Sequence, residues 1–526
     1  MKKLVCFALL ALSAVMFVSC NNDVDNPPID TPIDTPEDKP VIESITESDI
    51  VVMPNAQTLV IEYQSNTKCK VEIAPEAASW ISLMSVAQSA NSVVLDVEKN
   101  SDGVVRGALV NIISEDNPDI SLQYSITQYA DDSRKIYYTT TDGEIFVPEY
   151  EDKFMSGFGA EVKSHTYEGI GVIEFNGDVT TVGNFGERYP MERRLNSVYL
   201  PKGVTTIADN AFNECKVLEQ VTLPETLESI GEGAFFRCNK LARVVVPVGV
   251  REVKCCAFAE CESLAEVTLP DTVEHIDYSL FSMCPNLTTV KLPNSITEIP
   301  KLCFYNCPKL EAIEIPESVE VINWEAFAKC ASLKSILIPD NVKFIYYAAF
   351  RECVALESVS FPSNLQMLGG SAFSKCVSLR SVELPDSITT VETSVFAGCS
   401  QLVDFNIPTS LKNIHELMFN GCIGPEELII HDDVERIGAQ VFEGCRGIKR
   451  ATIGRGVYHM YAGVFYDCVN LSELYCMPTV PPGLGEMVLT NCSAELKIYV
   501  PQESVDAYKE AEGWSQYKDI IVGYDF

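Results

Sequence analysis

The sequence predicts a mainly β protein in which a β-sandwich precedes a long solenoid whose coils each contain short strands. Three observations support this fold class: a period of 23 residues fills most of the chain after residue 195, several β-rich segments precede it, and a proline ends the first strand of most repeats. A single unit of this length cannot bury its own apolar face. A fixed period of 23 residues therefore indicates coils stacked into a solenoid.

Cysteine and phenylalanine carry the period. A phenylalanine stands three residues before each periodic cysteine, from Phe212 to Phe465, and proline recurs from Pro201 to Pro408. Twelve units follow one another without an insertion, and stacked strands lie about 4.8 Å apart, so we expect an array on the order of 55–60 Å long. The periodic cysteines are Cys215, Cys238, Cys261, Cys284, Cys307, Cys330, Cys353, Cys376, Cys399, Cys422, Cys445 and Cys468.

One unit, residues 218–238, shows how a coil is expected to form. Its sequence is LEQVTLPETLESIGEGAFFRC. The apolar residues before the proline have the spacing of a short strand, and proline ends that strand because it lacks an N–H for the ladder. Leu227 and Ile230 begin a second extended segment. Phe235 and Cys238 are expected to fill the interior and close the coil.

The pattern L-x-x-V-x-L-P-x-x-L-x-x-I-x-x-x-A-F-x-x-C resembles the 23-residue class of the BspA-like surface antigens. The resemblance covers residues 196–500, more than half of the chain. It implies a leucine-rich-repeat solenoid. Known members are adhesins or surface antigens that bind host proteins or other cells, so the resemblance also implies a binding function.

Both ends of the array need caps. Residues 131–195 contain one degraded unit and are expected to form the N-terminal cap. Residues 501–526 are expected to form the C-terminal cap, with a helix that starts near Ser504. One face of that helix would carry Val505, Tyr508, Trp514 and Tyr517.

A separate β-rich segment spans residues 47–130. Alternating apolar residues and turn residues predict at least five strands, which is typical of an immunoglobulin-like β-sandwich, and Trp80 is the expected core aromatic residue. The predicted strands are TLVIEY (58–63), CKVEIA (69–74), SVVLDVE (92–98), GALVNIIS (107–114) and LQYSITQYA (122–130).

These residues resemble a BACON domain, an immunoglobulin-like module of gut-bacterial surface proteins. The features that carry the resemblance are Trp80-Ile81, Asn100, Arg106 and the closing segment 126–130. The family has been proposed to bind carbohydrate or mucin and also serves as a spacer. Both roles stay open at this point.

The N-terminus has the form of an export signal. Residues 1–19 combine a basic start with a short apolar run, and Val18-Ser19-Cys20 resembles a lipobox, which implies acylation of Cys20. A plain secretory peptide is the alternative. Residues 20–46 are acidic and proline-rich and are expected to be an extended tether. We therefore expect an exported protein that is lipid-anchored at the outer membrane or cell surface.

The charge of the chain limits its partners. There are 39 Lys and Arg residues against 74 Asp and Glu residues, a formal net charge of −35. Such a chain repels nucleic acid at long range, so nucleic-acid binding is not expected. After residue 20 there is no apolar run of 18 residues, and the sequence therefore predicts no transmembrane helix.

The cysteines have two interpretations. Stacked cysteines would lie close enough to form disulfides, but each has two equivalent neighbours, so small buried thiols are expected instead. Cys476 and Cys492 fall outside the 23-residue spacing, and a disulfide between them is an alternative. No metal site is expected, because paired Cys and His ligands at zinc-binding spacing are absent from the sequence.

No catalytic motif is present in the sequence. The five histidines fall at unlike positions, and there is no nucleophile elbow, zinc-protease motif or phosphate-binding glycine loop. We expect a protein that is not an enzyme, with no cofactor, no metal and no catalytic residues.

Two surfaces of the solenoid are candidates for ligand binding. The first is the position two residues after the isoleucine of the second segment, which holds aromatic residues in several units. They could form a flat stacking platform for sugar rings or a protein hot spot, or could simply pack on neighbouring coils. The candidate binding residues are Tyr278, Trp324, Tyr346 and Tyr347, with Lys301 between the first two.

The second candidate surface is the outward face of the first strands. It is mixed in character and has no stripe of one charge. Its residues are Thr222, Val245, Thr268, Lys291, Glu314, Leu337, Ser360 and Glu383.

The sequence thus predicts a monomeric cell-surface lipoprotein of the adhesin or surface-antigen type. Its solenoid is expected to bind host or bacterial surface proteins. The alternative is a glycan-capture lipoprotein that uses the BACON-like domain or the aromatic positions of the solenoid, and a purely structural spacer is a third option.

Overall fold

The computed structural model describes residues 41–145, 157–185 and 194–526. The predicted signal peptide, Cys20 and most of the predicted tether lie outside the described residues, as do parts of the predicted N-terminal cap. The chain divides into two compact units, a sandwich unit that consists mainly of residues up to 145 and a solenoid unit that contains residues 203–526. No helix in the described ranges is long and apolar enough to cross a membrane.

The sandwich unit has two four-stranded sheets, with strand orders β1-β3-β6-β5 and β2-β8-β7-β4. Its strands alternate between buried and exposed residues, and a single apolar core that includes Tyr63, Trp80 and Tyr124 lies within it. All five predicted strand segments coincide with strands. The strands are β1 (Ile42–Ser44), β2 (Asp49–Val52), β3 (Gln57–Ser65), β4 (Cys69–Ile73), β5 (Ile81–Ala87), β6 (Ser92–Val97), β7 (Arg106–Ser114) and β8 (Ser121–Gln128), with a 3-10 turn at Pro75–Ala77.

A buried polar network holds one end of the sandwich. The side-chain amide of Asn100 donates to the carbonyl oxygens of Val104 (2.8 Å) and Tyr129 (3.0 Å). Arg106 Nε donates to Gln128 Oε1 at 2.8 Å, and its guanidinium lies 4.5 Å from the centroid of the Trp80 ring. Burial lowers the pKa of Arg106 from its ordinary value. The residues that carry the BACON resemblance therefore contact one another inside the fold.

The sandwich unit also contains an antiparallel meander. Its strands are paired in the order β10-β11-β9, and Tyr137 on β9 stacks on Tyr129 with ring centroids 5.1 Å apart. The strands are β9 (Lys135–Thr140), β10 (Val162–Glu168) and β11 (Ile170–Phe175); β13 (Leu195–Tyr199) belongs in part to each unit.

The solenoid unit is built from two rows of parallel strands, and each regular coil adds one strand to each row. Row A consists of the first strand of each coil, two to five residues long. Its strands are β15 (Gln220–Thr222), β17 (Arg243–Val245), β19 (Glu266–Thr268), β21 (Thr289–Lys291), β24 (Ser335–Leu337), β26 (Ser358–Ser360), β28 (Ser381–Val382), β30 (Asp404–Phe405), β32 (Glu427–Ile430), β34 (Arg450–Ile453), β36 (Glu473–Cys476), β38 (Lys497–Pro501) and β39 (Ile521–Tyr524).

Row B consists of two-residue strands that end at the apolar residue of the second segment. In register, Val253 lies opposite Ile276 and Ile322 opposite Ile345. The strands are β12 (Thr181–Val182), β14 (Thr206–Ile207), β16 (Ser229–Ile230), β18 (Glu252–Val253), β20 (His275–Ile276), β22 (Glu298–Ile299), β23 (Val321–Ile322), β25 (Phe344–Ile345), β27 (Met367–Leu368), β29 (Thr390–Val391), β31 (Asn413–Ile414), β33 (Arg436–Ile437), β35 (His459–Met460) and β37 (Gly483–Leu484).

The interior of the solenoid is a continuous stack of phenylalanine rings from Phe185 to Phe465. Consecutive ring centroids are 5.0–6.0 Å apart and the rings are tilted by only 2–19°. The rings from Phe212 onward are fully buried. This confirms the prediction that the periodic phenylalanines fill the core.

The periodic cysteines form a second column beside the rings. From Cys238 onward, the thiol of each donates to the carbonyl oxygen of the phenylalanine 26 residues earlier, as from Cys330 to Phe304 at 3.2 Å. Every cysteine in the described ranges is a free thiol, including Cys476. Cys492 continues the column, donating to Phe465 at 3.3 Å, so its placement outside the ladder was wrong. One extra residue between β36 and β37 makes this coil longer, so Cys492 lies one residue outside the 23-residue spacing.

Between row B and the cysteine, each coil has a tight turn with two left-handed residues. In one coil these are Gly233 (φ 57°) and Arg237 (φ 58°). Their N–H groups donate to the carbonyl oxygens of Cys255 (2.9 Å) and Ala259 (3.0 Å) in the next coil. A non-glycine residue in this conformation costs roughly 1–2 kcal/mol. The inter-coil hydrogen bonds therefore have to offset a strain that recurs in every coil.

The C-terminal cap is shorter and less regular than predicted. The helix α1 (Val505–Glu510) starts after Ser504 as expected, but it ends before Trp514, and 3-10 turns occupy Gln502–Ser504 and Ser515–Tyr517. The single helical face was therefore wrong. Tyr508 and Trp514 are nevertheless buried, and the polar atom of each donates at 2.7 Å to a proline carbonyl oxygen, Tyr508 to Pro478 and Trp514 to Pro482.

The ring stack predicts a contrast between two adjacent phenylalanines. We expect Phe235→Ala, which removes a fully buried ring, to lower the free energy of unfolding by about 3–5 kcal/mol. Phe236→Ala is the matched control, because this ring lies partly in solvent beneath the Arg237 guanidinium. Urea unfolding followed by circular dichroism measures both variants. Equal losses would show that the stack does not dominate coil stability.

The thiol column predicts alkaline instability. Burial raises the pKa of Cys284, Cys353 and Cys399 to about 12. An unfolded thiol loses its proton near pH 8.5, whereas these folded thiols keep theirs. Their contribution to stability is therefore complete below that pH and is lost as the pH rises toward 12, by about 1.4 kcal/mol per pH unit for each thiol.

The measurement is the free energy of unfolding between pH 8 and 11. A variant with Cys284, Cys353 and Cys399 changed to alanine should show a shallower decline than the unchanged chain. Identical slopes would contradict the assignment, whatever the absolute stabilities of the two proteins.

Candidate interaction surfaces

The aromatic positions after row B point away from the core. Tyr278, Trp324 and Tyr347 each stand two residues after the buried residue that ends a row B strand, and their exposed fractions are 47%, 51% and 45%. The buried residue faces the interior and the tight turn begins directly after it, so the second residue is directed outward. These three side chains are therefore exposed on the surface of the solenoid.

Trp324 and Tyr347 meet in adjacent coils, but they do not form a flat surface. Their ring centroids are 6.5 Å apart and the rings are inclined by 68°, an edge-to-face contact. Lys301, in the preceding coil, places its ammonium 5.7 Å from the centroid of the Trp324 ring. The three side chains form a compact cluster, the Trp324 cluster, that combines aromatic surface with one positive charge.

Tyr346 has a different environment from its neighbour Tyr347. It is half-buried, and its ring stacks on Phe344 with centroids 6.3 Å apart and an inclination of 14°. Of the four predicted binding residues, the structure thus joins Trp324 and Tyr347 directly and places Tyr346 in a separate pair.

Tyr278 has a cysteine neighbour in the preceding coil. The neighbouring thiol of Cys255 raises the pKa of Tyr278 to about 12. Burial is the main cause that raises the pKa of Cys255, to about 11. The Tyr278 ring itself stays nearly half exposed.

A cleft lined by Tyr278 and Lys301 lies where row B is interrupted between β20 and β22. In the following coil the N–H of Asn323 donates to the carbonyl oxygen of Ile299 at 2.9 Å. Pro300 occupies the equivalent position one coil earlier and has no N–H to donate to Ile276. The cleft has a volume of about 400 Å³ and is lined mainly by polar residues. They include Asp277, Ser279, Glu298, Lys301 and Asn323.

The outward face of row A carries isolated apolar residues. Val245, Leu337 and Ile429 are exposed, and residues 311–316 leave the ladder between β21 and β24. A cavity of about 380 Å³ lies there, bordered by Ile313, Glu314 and Leu337 among others. This face is as mixed in character as the sequence predicted.

Four aromatic residues that were not predicted as surface candidates gather at the end of row A. Tyr475 and Tyr499 stack with centroids 4.6 Å apart, and Tyr524 and Phe526 pack edge-on against this pair. Arg450 lies 5.6 Å from the centroid of the Tyr475 ring. The irregular spacing of the last coils conceals this cluster, although the two stacked tyrosines are only 24 residues apart in the sequence.

The described parts of the chain contain no group of three His, Cys, Asp or Glu side chains placed to hold a metal ion. The column thiols resist ionisation, since burial raises the pKa of each one whose shift is resolved. A thiol that keeps its proton at neutral pH is a poor nucleophile. These cysteines therefore have a structural role.

Known structures of the same architecture exist. The chain is similar to a leucine-rich repeat protein from Bacteroides ovatus, with 26% identity and a TM-score of 0.53 over 68% of this chain and 97% of that chain. It also matches a leucine rich cell surface protein from Faecalibacterium prausnitzii (26% identity, TM-score 0.38, 60% of this chain and 86% of that chain). A third match is the pneumococcal vaccine antigen PcpA (19% identity, TM-score 0.35, 71% of this chain and 91% of that chain).

Sequence comparison gives the family directly. No match was found among curated proteins. Residues between 189 and 510 match the BspA type leucine rich repeat region, in the overlapping segments 189–311, 234–357, 297–426, 343–472 and 418–510. The match covers more than half of the chain and agrees with the coil geometry, so this protein belongs to the BspA-type leucine-rich-repeat family.

Proposed function

We propose that this chain is a cell-surface lipoprotein whose solenoid binds host or bacterial surface proteins without catalysing a reaction. Membership of the BspA-type family supports a solenoid that presents a binding surface. The protein acts as a monomer, because the coils satisfy one another within a single chain.

The Trp324 cluster is the observation that carries the binding proposal. Interface hot spots are rich in tryptophan, tyrosine and positively charged groups that lose solvent when a partner docks. Trp324, Tyr347 and Lys301 place such groups side by side on the outside of three successive coils. A partner with a complementary acidic or polar patch would cover an aromatic surface that is already pre-positioned.

The anchor proposal depends on the N-terminal sequence, since Cys20 lies outside the described residues. The basic start, the apolar run and Val18-Ser19-Cys20 support export and acylation. The acidic segment 20–46 then acts as a tether that keeps the folded part away from the membrane. The location that follows is the outer membrane or cell surface.

We propose a spacer role for the BACON-like sandwich. The side chains that carry the resemblance, Trp80, Asn100 and Arg106, are committed to contacts inside the fold. They are therefore poorly placed to meet a ligand.

Glycan capture is the second candidate function. The cleft at Pro300 supports it, because an exposed tyrosine stands beside several convergent polar side chains there. Small-molecule sites commonly combine an aromatic wall with a few polar groups in this way.

The binding proposal predicts loss of affinity on removal of the Trp324 cluster. We expect Trp324→Ala combined with Tyr347→Ala to weaken binding to extracellular-matrix proteins by about tenfold or more, equivalent to about 1.4 kcal/mol. Biolayer interferometry against a panel of matrix proteins measures this. Tyr461→Ala, an equally exposed tyrosine elsewhere on the solenoid, is the control. Unchanged affinity in a folded double variant would refute the site.

The anchor proposal predicts that Cys20→Ser abolishes lipid attachment. The expressed chain should incorporate labelled palmitate and sediment with membranes, whereas the variant should lose the label and its stable membrane association. Retention of the label by the variant would place the lipid elsewhere or exclude the anchor.

A further inference from the structure

We propose that the cleft at Pro300 is a binding site for a neutral saccharide, with Tyr278 as its apolar wall and Glu298 as a hydrogen-bond acceptor. The proposal rests on the second function above, glycan capture, and assigns it a site and a ligand class. Its volume of about 400 Å³ lies within the range of roughly 300–1,000 Å³ that is usual for small-molecule sites.

Tyr278 supplies the aromatic wall of the cleft. Nearly half of its side chain is exposed, and the residue lines the cleft directly. A sugar ring has one face composed mainly of C–H groups, which packs well on an aromatic surface.

The polar groups of the cleft match what hydroxyl groups require. Hydroxyls both donate and accept hydrogen bonds. Glu298 and Asp277 supply carboxylate acceptors, and Lys301 supplies an ammonium donor. Asn323 donates through its side-chain amide to Glu298 at 3.3 Å, which holds that carboxylate in place. Donors and acceptors therefore converge on one opening.

The charges favour a neutral ligand over an ionic one. Two carboxylates and a net charge of −35 disfavour anionic sugars. A cationic ligand would meet the ammonium of Lys301, which also lines the cleft. A polyhydroxylated ring without charge meets neither penalty.

Pro300 removes one inter-coil hydrogen bond at the cleft. The next four coils close the same position with an inter-coil hydrogen bond, such as Tyr346 N–H to the carbonyl of Ile322 at 2.9 Å. The missing N–H at Pro300 leaves the carbonyl of Ile276 without this donor, at the lining of the cleft. The site is thus a local departure from the repeat.

The test uses the full chain and an array of neutral oligosaccharides built from glucose, mannose, galactose and xylose, followed by titration calorimetry with the neutral oligosaccharide that binds best. Tyr278→Ala and Glu298→Gln should each weaken binding about tenfold or more. Tyr461→Ala and Glu252→Gln are the matched controls, and Glu252 holds the position of Glu298 two coils earlier. Thermal unfolding verifies that each variant is folded, and Glu298→Gln, an exposed isosteric change, keeps the test valid if Tyr278→Ala is unstable.

The outcomes separate the site from the function it serves. Selective loss in the two cleft variants supports the proposal. Neutral oligosaccharide binding that persists in both variants overturns the site and leaves glycan capture standing. Failure of every neutral oligosaccharide to bind at about 1 mM overturns both, without affecting the protein-binding proposal. Tyr278-dependent binding of sialylated oligosaccharides or of an oligoarginine peptide, in place of neutral sugars, overturns the assigned ligand class.

Discussion

The solenoid depends on one contact between coils: the ring of each phenylalanine stacks on the ring of the previous coil while the nearby thiol donates to a carbonyl one coil back. In the centre of the array this joins Phe327 to Phe304 and Cys330 to the carbonyl of Phe304. Because both contacts join the same two coils, the phenylalanine and the cysteine must keep the same spacing in every coil. This explains why the distance between them stays at three residues while other positions vary.

Backbone hydrogen bonds between coils also stabilise conformations that the sequence does not favour by itself. The tight turns place residues such as Arg237, Lys329 and Glu352 in the left-handed region, where glycine would be the expected residue. The N–H of Lys329 donates to the carbonyl of Arg351 in the next coil at 2.8 Å. The neighbouring coil, and not the local sequence, therefore imposes the turn, so an isolated unit would lose both the turn and its core.

The period was sufficient to predict the coil, its buried residues and the order of its two strands, because those features repeat. It failed where the geometry depends on a single coil. Cys492 was assigned outside the column because one added residue conceals its register. We predicted a single helical face for the cap. The helix instead ends before Trp514, and Tyr508 and Trp514 are buried with hydrogen bonds to proline carbonyls. The inclination between Trp324 and Tyr347 depends on side-chain torsions that no spacing encodes.

The same distinction explains where function can arise in such a protein. In a uniform array, neighbouring coils satisfy one another's backbone hydrogen bonds, and every coil presents the same shallow surface. A ligand then has no feature by which to select one coil. A substitution that removes one inter-coil donor, as Pro300 does, opens a cleft without disturbing the core, since Phe281 and Phe304 remain stacked across it with centroids 5.6 Å apart. Because the phenylalanine stack holds adjacent coils together, the loss of one inter-coil hydrogen bond is tolerated. A single proline can therefore give one coil a surface that other coils lack.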